Sequence, residues 1–498
     1  MLQDHLLKKF YTNNFKKETS LYLFILCFLI LLRFVFTFFN LDTEGDVITS
    51  LIIGRDINEG HLPYIQSWDI RGPLSFFIYA LALKFKSYFI ALKLLAIFFI
   101  WISSIIIFAI SKKIFRFSYL ISAFAAVSFA LLCSSNVNTF AAHQEIFQTT
   151  FLCGFLYFLL DNKKINIHNF FYSGFLISLA VLIKQNAATL SILGFFFIII
   201  HKDENFVKKV LLYIAGGITP LIFLIILYSF EQNGVQIFFN STVGTVLGYT
   251  DQKPIINGLY DFFFRINTKE WFLYFCIPFI FFFHLKEKSK KVIFLYIGII
   301  LQILNVLIVR KYSDHHIVPL LPFVIILVAN LLSNFNFKKK INYYIIIIFF
   351  IGPLISNVSN QINLLYNHNN KSLVLCEVLK KDLGDDQKIF SFDQYLYLCL
   401  NKKILTSIVH PSNLFKNQIL QNYYNDPNLN KEIFLLRILR KDPDVVIIPQ
   451  HFYNKLPLEF ITQLDLSWQQ ITIDSEPYSN LNKNVKEYVL TTKVYRRK

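Results

Sequence analysis

Residues 41–74 read LDTEGDVITSLIIGRDINEGHLPYIQSWDIRGPL. The stretch follows directly on the apolar run Leu21–Phe39 and places three carboxylates, Asp42, Glu44 and Asp46, at the end of that run. It closes on Trp68, Asp69, Arg71, Gly72 and Pro73. A loop that only joins two membrane helices needs none of this. Carboxylates crowded at a membrane surface are costly unless something uses them. The loop is therefore expected to be the active site of an integral-membrane enzyme.

Composition supports the membrane half of that expectation. The chain is 55% hydrophobic and 17% aromatic, with 56 phenylalanines. That is more apolar surface than a soluble core needs, and lipid-facing helices require it. The net charge of +17 could suggest a nucleic-acid partner, but the basic residues sit in short clusters between apolar runs, so no nucleic acid is expected. Membrane topology wants them there, since cytoplasmic loops collect Lys and Arg.

The clusters KKF/FKK (8–17), SKKIFR (111–116), DNKK (161–164), HKDENFVKK (201–209), KEKSKK (286–291) and FKKK (337–340) are expected on the cytoplasmic side. Between them the apolar runs pair as hairpins, giving about eleven spanning helices at some 20 residues each. They are 20–40, 88–110, 117–134, 144–160, 169–183, 187–200, 208–230, 271–285, 291–309, 316–334 and 341–357. The first run is too long for a signal-peptide core and lacks a small-residue cleavage site, so it reads as an uncleaved helix behind a cytoplasmic N-terminus, 1–19. The short run 73–85, between Pro73 and the lysines Lys84 and Lys86, reads as a helix lying on the outer surface. Counting it as a span reverses every later cluster.

This topology gathers the unusual polar residues on the outer face. The first loop (41–87), NTFAAHQE (138–145), the KQN turn (184–186), the loop 231–270 and RKYSDHH (310–316) all fall there. The runs flanking KQN are short for a span, which sinks that turn into the bilayer as a cavity floor. Residues 20–357 thus form the membrane body. Residues 358–498 turn Asn-, Lys- and Asp-rich and form a small extracytoplasmic α/β domain. Its strands are expected at 388–393, 444–449 and 488–495, with helices at 411–424 and 429–440. Cys376 and Cys399 in that region read as two unpaired thiols, a disulfide being the alternative if the region is extracytoplasmic.

Each candidate residue has two readings. Asp46 starts a helix over 46–58, ended by Gly60, with Ile48, Leu51 and Ile52 on one apolar face. It is either an N-cap or an ionised general base facing a cavity. With WDIRGP following, the base is the better reading, and Asp42 and Glu44 are its reserves. Arg71 is shaped to hold a lipid phosphate through a bidentate fork, or it snorkels to headgroups. Lys184 and Gln185, so close to the bilayer, point to function, or Lys184 merely reaches the interface. Arg310, Lys311, Tyr312, Asp314, His315 and His316 suit phosphate or pyrophosphate. The adjacent histidines raise a metal, but no second ligand cluster has the spacing, so none is assigned. Glu145 is a first-turn acid or a cavity residue. Trp68 and Tyr64 stack on a sugar ring or anchor the interface.

These residues resemble a known family. The first outer loop is similar to that of GT-C glycosyltransferases, in particular the bacterial group resembling protein O-mannosyltransferases and lipid A aminoarabinose transferases. Gly54-Arg55, Gly60-His61-Leu62-Pro63-Tyr64 and Trp68-Asp69-Ile70-Arg71-Gly72-Pro73-Leu74 match its motif. Glu145, Leu182-x-Lys184-Gln185 and His315-His316-x-x-Pro319-x-x-Pro322 follow in order, so the likeness covers residues 20–335. Asp46-Val47 stands where the family has Asp-Glu, Arg71 where it has Lys, Gly72 where it has Pro, and His316 where Tyr is typical. The resemblance implies a polyprenyl-phosphate sugar donor and a lipid, glycan or protein acceptor entering from outside. It implies Asp46 as base, no cofactor, inversion, and a leaving phosphate held by Arg71 with Lys184 or Arg310. Two other classes compete. A polysaccharide polymerase or ligase concentrates its groups in a late loop, as Arg265 in 231–270 allows. A lipid-linked-sugar flippase or transporter shows repeated halves, and no such symmetry is visible here.

Overall fold

In the computed structural model the apolar runs fold as helices, while the polar C-terminal region wraps helices around a small sheet. The structure describes residues 2–39, 44–135, 141–161, 167–245, 289–309, 314–334, 340–366, 371–471 and 483–498. Asp42, Arg310, Lys311, Tyr312, Arg265 and the expected span 271–285 lie outside the described residues.

Helices occupy the expected apolar runs that are described: Leu2–Leu32 and Phe34–Phe39, Tyr88–Ala109, Tyr119–Leu132, Gln144–Leu160, His168–Ile183, Ala188–Ile200, Phe206–Tyr228, Lys290–Val309, Leu321–Asn334 and Lys340–Tyr366. Among the described residues, Tyr88–Ile114, Phe206–Tyr228 and His315–Asn334 are long and apolar enough to cross a membrane. Pro73–Leu83 is a short apolar helix opened by Pro73, whose fixed φ suits the first helical position. The chain divides into two compact units.

The first unit holds 1–38, 92–224 and 251–363. Its helices approach closely where side chains are smallest. A Cβ at Gly174 would strike the Tyr213 carbonyl, and one at Gly216 would strike the Phe171 carbonyl. Small residues at such a crossing let two backbones pack without a hydrophobic driving force. The first helix breaks at Arg33, which is fully buried and donates from Nη1 to the Cys133 carbonyl at 3.1 Å. Asn357 donates to the Leu32 carbonyl at 2.9 Å, and Val35 N–H donates to Gln361 at 3.2 Å. Backbone groups released by the break thus find side-chain partners, as an apolar surrounding demands.

The second unit joins the first loop to the C-terminal region: 39–91, 225–250 and 364–498. The two are tied by main chain. Trp68 N–H donates to the Ser407 carbonyl, and Val409 N–H donates to the Trp68 carbonyl at 3.1 Å. The helix Gly45–Asn58 has no single apolar face. Val47 through Gly54 are all buried, including Thr49 and Ser50, whose hydroxyls donate back to the Gly45 and Asp46 carbonyls. Gly54 lets this helix meet Pro73–Leu83, since a Cβ there would lie 2.8 Å from the Ala80 nitrogen.

The sheet has four strands, β1 (Ile389–Ser391), β2 (Val445–Ile448), β3 (Trp468–Ile471) and β4 (Lys493–Arg497), in the order β1-β2-β4-β3. β1 and β2 are parallel; β4 is antiparallel to both β2 and β3. Two expectations change. β3, WQQI, carries two exposed glutamines and gives no apolar alternation to read. The stretch expected as strand 488–495 begins inside the helix Lys483–Thr491, because Val489 shares a buried helix face with Val485. Cys376 and Cys399, read as two free thiols, form a disulfide with Cα atoms 6.4 Å apart.

Candidate active site

Two charge clusters emerge, one in each unit. In the second unit Glu44, and not Asp46, caps the helix Gly45–Asn58. Its Oε2 accepts from Asp46 N–H at 2.8 Å and Val47 N–H at 3.2 Å. The capping role is taken, and Asp46 instead turns its carboxylate to the Arg71 guanidinium. Asp69 grips the same guanidinium through its other terminal nitrogen. Asp46 is 29% exposed in its side chain, Arg71 11% and Asp69 1%. Burial alone would lower the Arg71 pKa, but the charges of Asp46 and then Asp69 outweigh it and hold the guanidinium well above its usual range.

The motif residues around Arg71 are its frame. Tyr64 donates its hydroxyl to the Arg71 carbonyl. Tyr64 and Trp68 are fully buried, and Trp68 packs on Tyr423 at 5.3 Å. Neither ring is open to a sugar, which corrects the stacking role expected for both. Burial also raises the Tyr64 pKa well above the ordinary value. Arg55 donates to the Tyr397 carbonyl at 3.0 Å and ties the loop to the C-terminal region. Three contributors lay outside the sequence reading. Asn413 donates to Asp69 Oδ1 at 3.1 Å. His410 Nε2 stands 3.2 Å from Asp46 Oδ1. Gln394 donates to Thr49 at 2.6 Å.

In the first unit Glu145 opens the helix Gln144–Leu160, and Lys184 ends the helix His168–Ile183 in an extended conformation. Their side chains form an ion pair in which Glu145 is 2% exposed and Lys184 21%. Gln148 holds the turn by donating to the Lys184 carbonyl and to Asn186, each at 2.8 Å. Gln185 lies in the following 3-10 turn, Gln185–Ala187. His315 and His316 come to 3.6 and 3.7 Å from Glu145 Oε1, and His143 stacks on His315. The two histidines thus gain the third ligand that their sequence spacing did not show. The ligand atoms of Glu145, His315 and His316 lie within 4.8 Å of one another, a set that can hold a divalent cation. The Lys184 ammonium already occupies Glu145 Oε1.

Residues 71–228 match the family described as "Dolichyl-phosphate-mannose-protein mannosyltransferase". That match spans about a third of the chain and takes in Arg71, Glu145 and Lys184. The fold is similar to that of ArnT from Cupriavidus metallidurans. The structure bound to undecaprenyl phosphate aligns with a TM-score of 0.70 at 10% identity, covering 95% of this chain and 97% of that one. The apo structure aligns at 0.68, also at 10% identity, covering 96% and 98%. No curated protein sequence matches the chain.

Proposed function

We propose that the protein transfers a sugar from a polyprenyl-phosphate donor to an acceptor hydroxyl, with inversion, on the outer face of the cytoplasmic membrane. The observation that carries this is the Asp46–Arg71–Asp69 cluster, a partly exposed carboxylate held in place by a buried guanidinium. The family match and the ArnT structure bound to undecaprenyl phosphate support the donor class. The Cys376–Cys399 disulfide supports an oxidising, extracytoplasmic setting for the C-terminal region. With it go a cytoplasmic N-terminus and a membrane-embedded helical body.

In this reaction the acceptor oxygen attacks the anomeric carbon and its proton passes to Asp46. The bond from that carbon to the phosphate oxygen breaks, and polyprenyl phosphate leaves with the electron pair. Phosphate is a good leaving group, so no covalent enzyme intermediate is needed. Positive charge placed in advance for the phosphate supplies the larger share of rate enhancement, as in other preorganised sites. Arg71, held between Asp46 and Asp69, orients the base, and the Lys184 ammonium is the cation offered to the phosphate. The acceptor is a lipid, a glycan or a protein.

The test is turnover by purified protein of undecaprenyl phosphate carrying radiolabelled mannose, glucose or aminoarabinose. Labelled product of inverted configuration that disappears in Asp46→Asn supports the transferase. Movement of labelled lipid across vesicles without product would instead favour a flippase.

A further inference from the structure

His410 lies far along the chain from the first-loop motif, in the stretch Thr406-Ser407-Ile408-Val409-His410-Pro411-Ser412-Asn413. A local structural role accounts for half of its ring. His410 caps the 3-10 turn Pro411–Phe415, with Nδ1 accepting from Ser412 N–H at 3.3 Å. The Ser412 hydroxyl lies 2.7 Å from the same nitrogen. The cap does not account for the other half, because Nε2 is aimed at Asp46 Oδ1 from 3.2 Å. The two facts are linked. A backbone N–H can only donate, so Nδ1 must be the acceptor in the neutral ring, and the ring proton sits on Nε2, facing the carboxylate. The cap thereby sets the tautomer that the acid needs.

The backbone that carries His410 is itself fixed on the first loop. Ile408 bridges in parallel to Trp68, and Asn413 reaches Asp69. Each acid that grips Arg71 therefore receives a second donor from this one C-terminal segment, Asp46 from His410 and Asp69 from Asn413.

We propose that His410 is a positioning residue for the transfer, its Nε2–H fixing the Asp46 carboxylate beside Arg71, and that the C-terminal region is part of the catalytic machinery through it. This rests on the reading of Asp46 as the base. Among the described residues of this unit, the charged groups beside Asp46 include Arg71, Glu44 at the helix cap, and Asp69 across the guanidinium. Removing the His410 donor leaves them in place and favours the protonated acid.

The experiment compares wild type, His410→Ala, His410→Gln, Asp46→Asn and the double variant Asp46→Asn/His410→Ala with the labelled undecaprenyl-phosphate sugars. It reads kcat, donor KM, the pH profile and thermal unfolding. His410→Ala should lose about tenfold to a hundredfold in kcat, as misplaced reacting groups do. Donor KM should stay within about twofold of wild type, and the acid limb of the profile should move to higher pH. His410→Gln, whose amide offers a donor on the same side, should recover most of the rate. Where His410→Ala loses stability, the glutamine variant decides. In the Asp46→Asn background the alanine change should add nothing, since the two residues act as one unit. Wild-type kcat in His410→Ala, or a glutamine variant as slow as the alanine, overturns the role. A wild type that turns over none of the donors overturns the transferase reading and this role with it. An active wild type with an indifferent His410→Ala overturns this role alone.

Discussion

The two charge clusters are built with opposite polarity. In the second unit the cation is inside and the acid outside: Arg71 is 11% exposed between two carboxylates, while Asp46 is 29% exposed. In the first unit the acid is inside and the cation outside: Glu145 is 2% exposed, while Lys184 is 21% exposed. A buried ion needs its partner, because an unpaired charge in a low-dielectric surrounding is far more costly than a paired one. The inner member therefore anchors, and the outer member is the one left accessible. The second unit presents a carboxylate, suited to taking a proton. The first presents an ammonium, suited to an anion such as phosphate.

Substitutions can break this comparison. The largest effect is expected at Asp46→Asn, with a loss of about 10²–10⁴ in kcat, the range of a general base, and unchanged binding of undecaprenyl phosphate. Transfer assays and a lipid-binding titration on the same preparation check both halves. Next comes Arg71→Ala. It strands the buried Asp69 and should cost about 3 kcal/mol of stability as well as activity, measured by thermal unfolding in detergent. Arg71→Lys should keep part of the stability and less of the activity, because a point charge cannot grip both carboxylates as the fork does.

Lys184→Ala should weaken donor affinity about tenfold, a cost of about 1.4 kcal/mol, at little cost in kcat, and Lys184→Arg should restore it. A kcat collapse in Lys184→Ala at saturating donor would erase the distinction between the clusters. An effect of similar size, on stability alone, is expected at Asn413→Ala. It removes one hydrogen bond to a carboxylate, worth about 1.5 kcal/mol, and chemical denaturation of the variant should show it.

The parts of this arrangement that are local were legible in the sequence. Hydrophobic runs and basic clusters placed the helices, and the acids before WDIRGP located the loop that carries Asp46 and Arg71. Three parts were not legible. Side-chain type does not tell burial, so Trp68 and Tyr64 read as sugar platforms or interfacial anchors when they are the packing behind Arg71. A cap preference that ranks Asp first pointed to Asp46, while Glu44 reaches the same N–H groups and releases it. Contacts made by fold topology leave no local pattern, so His410 and Asn413 were invisible, and the Cys376–Cys399 bond stood only as the second of two readings. For the same reason the first loop and the C-terminal region, expected in separate domains, belong to one compact unit.

On the proposed function, an accessible carboxylate performs the chemistry and an accessible ammonium serves the anion. The rate of label transfer as a function of undecaprenyl-phosphate sugar concentration, measured for Asp46→Asn and Lys184→Ala, tests it most directly. Asp46→Asn should stay slow at every concentration, whereas Lys184→Ala should approach the wild-type rate at saturation. The reverse pattern, with Asp46→Asn rescued by donor and Lys184→Ala not, would contradict it.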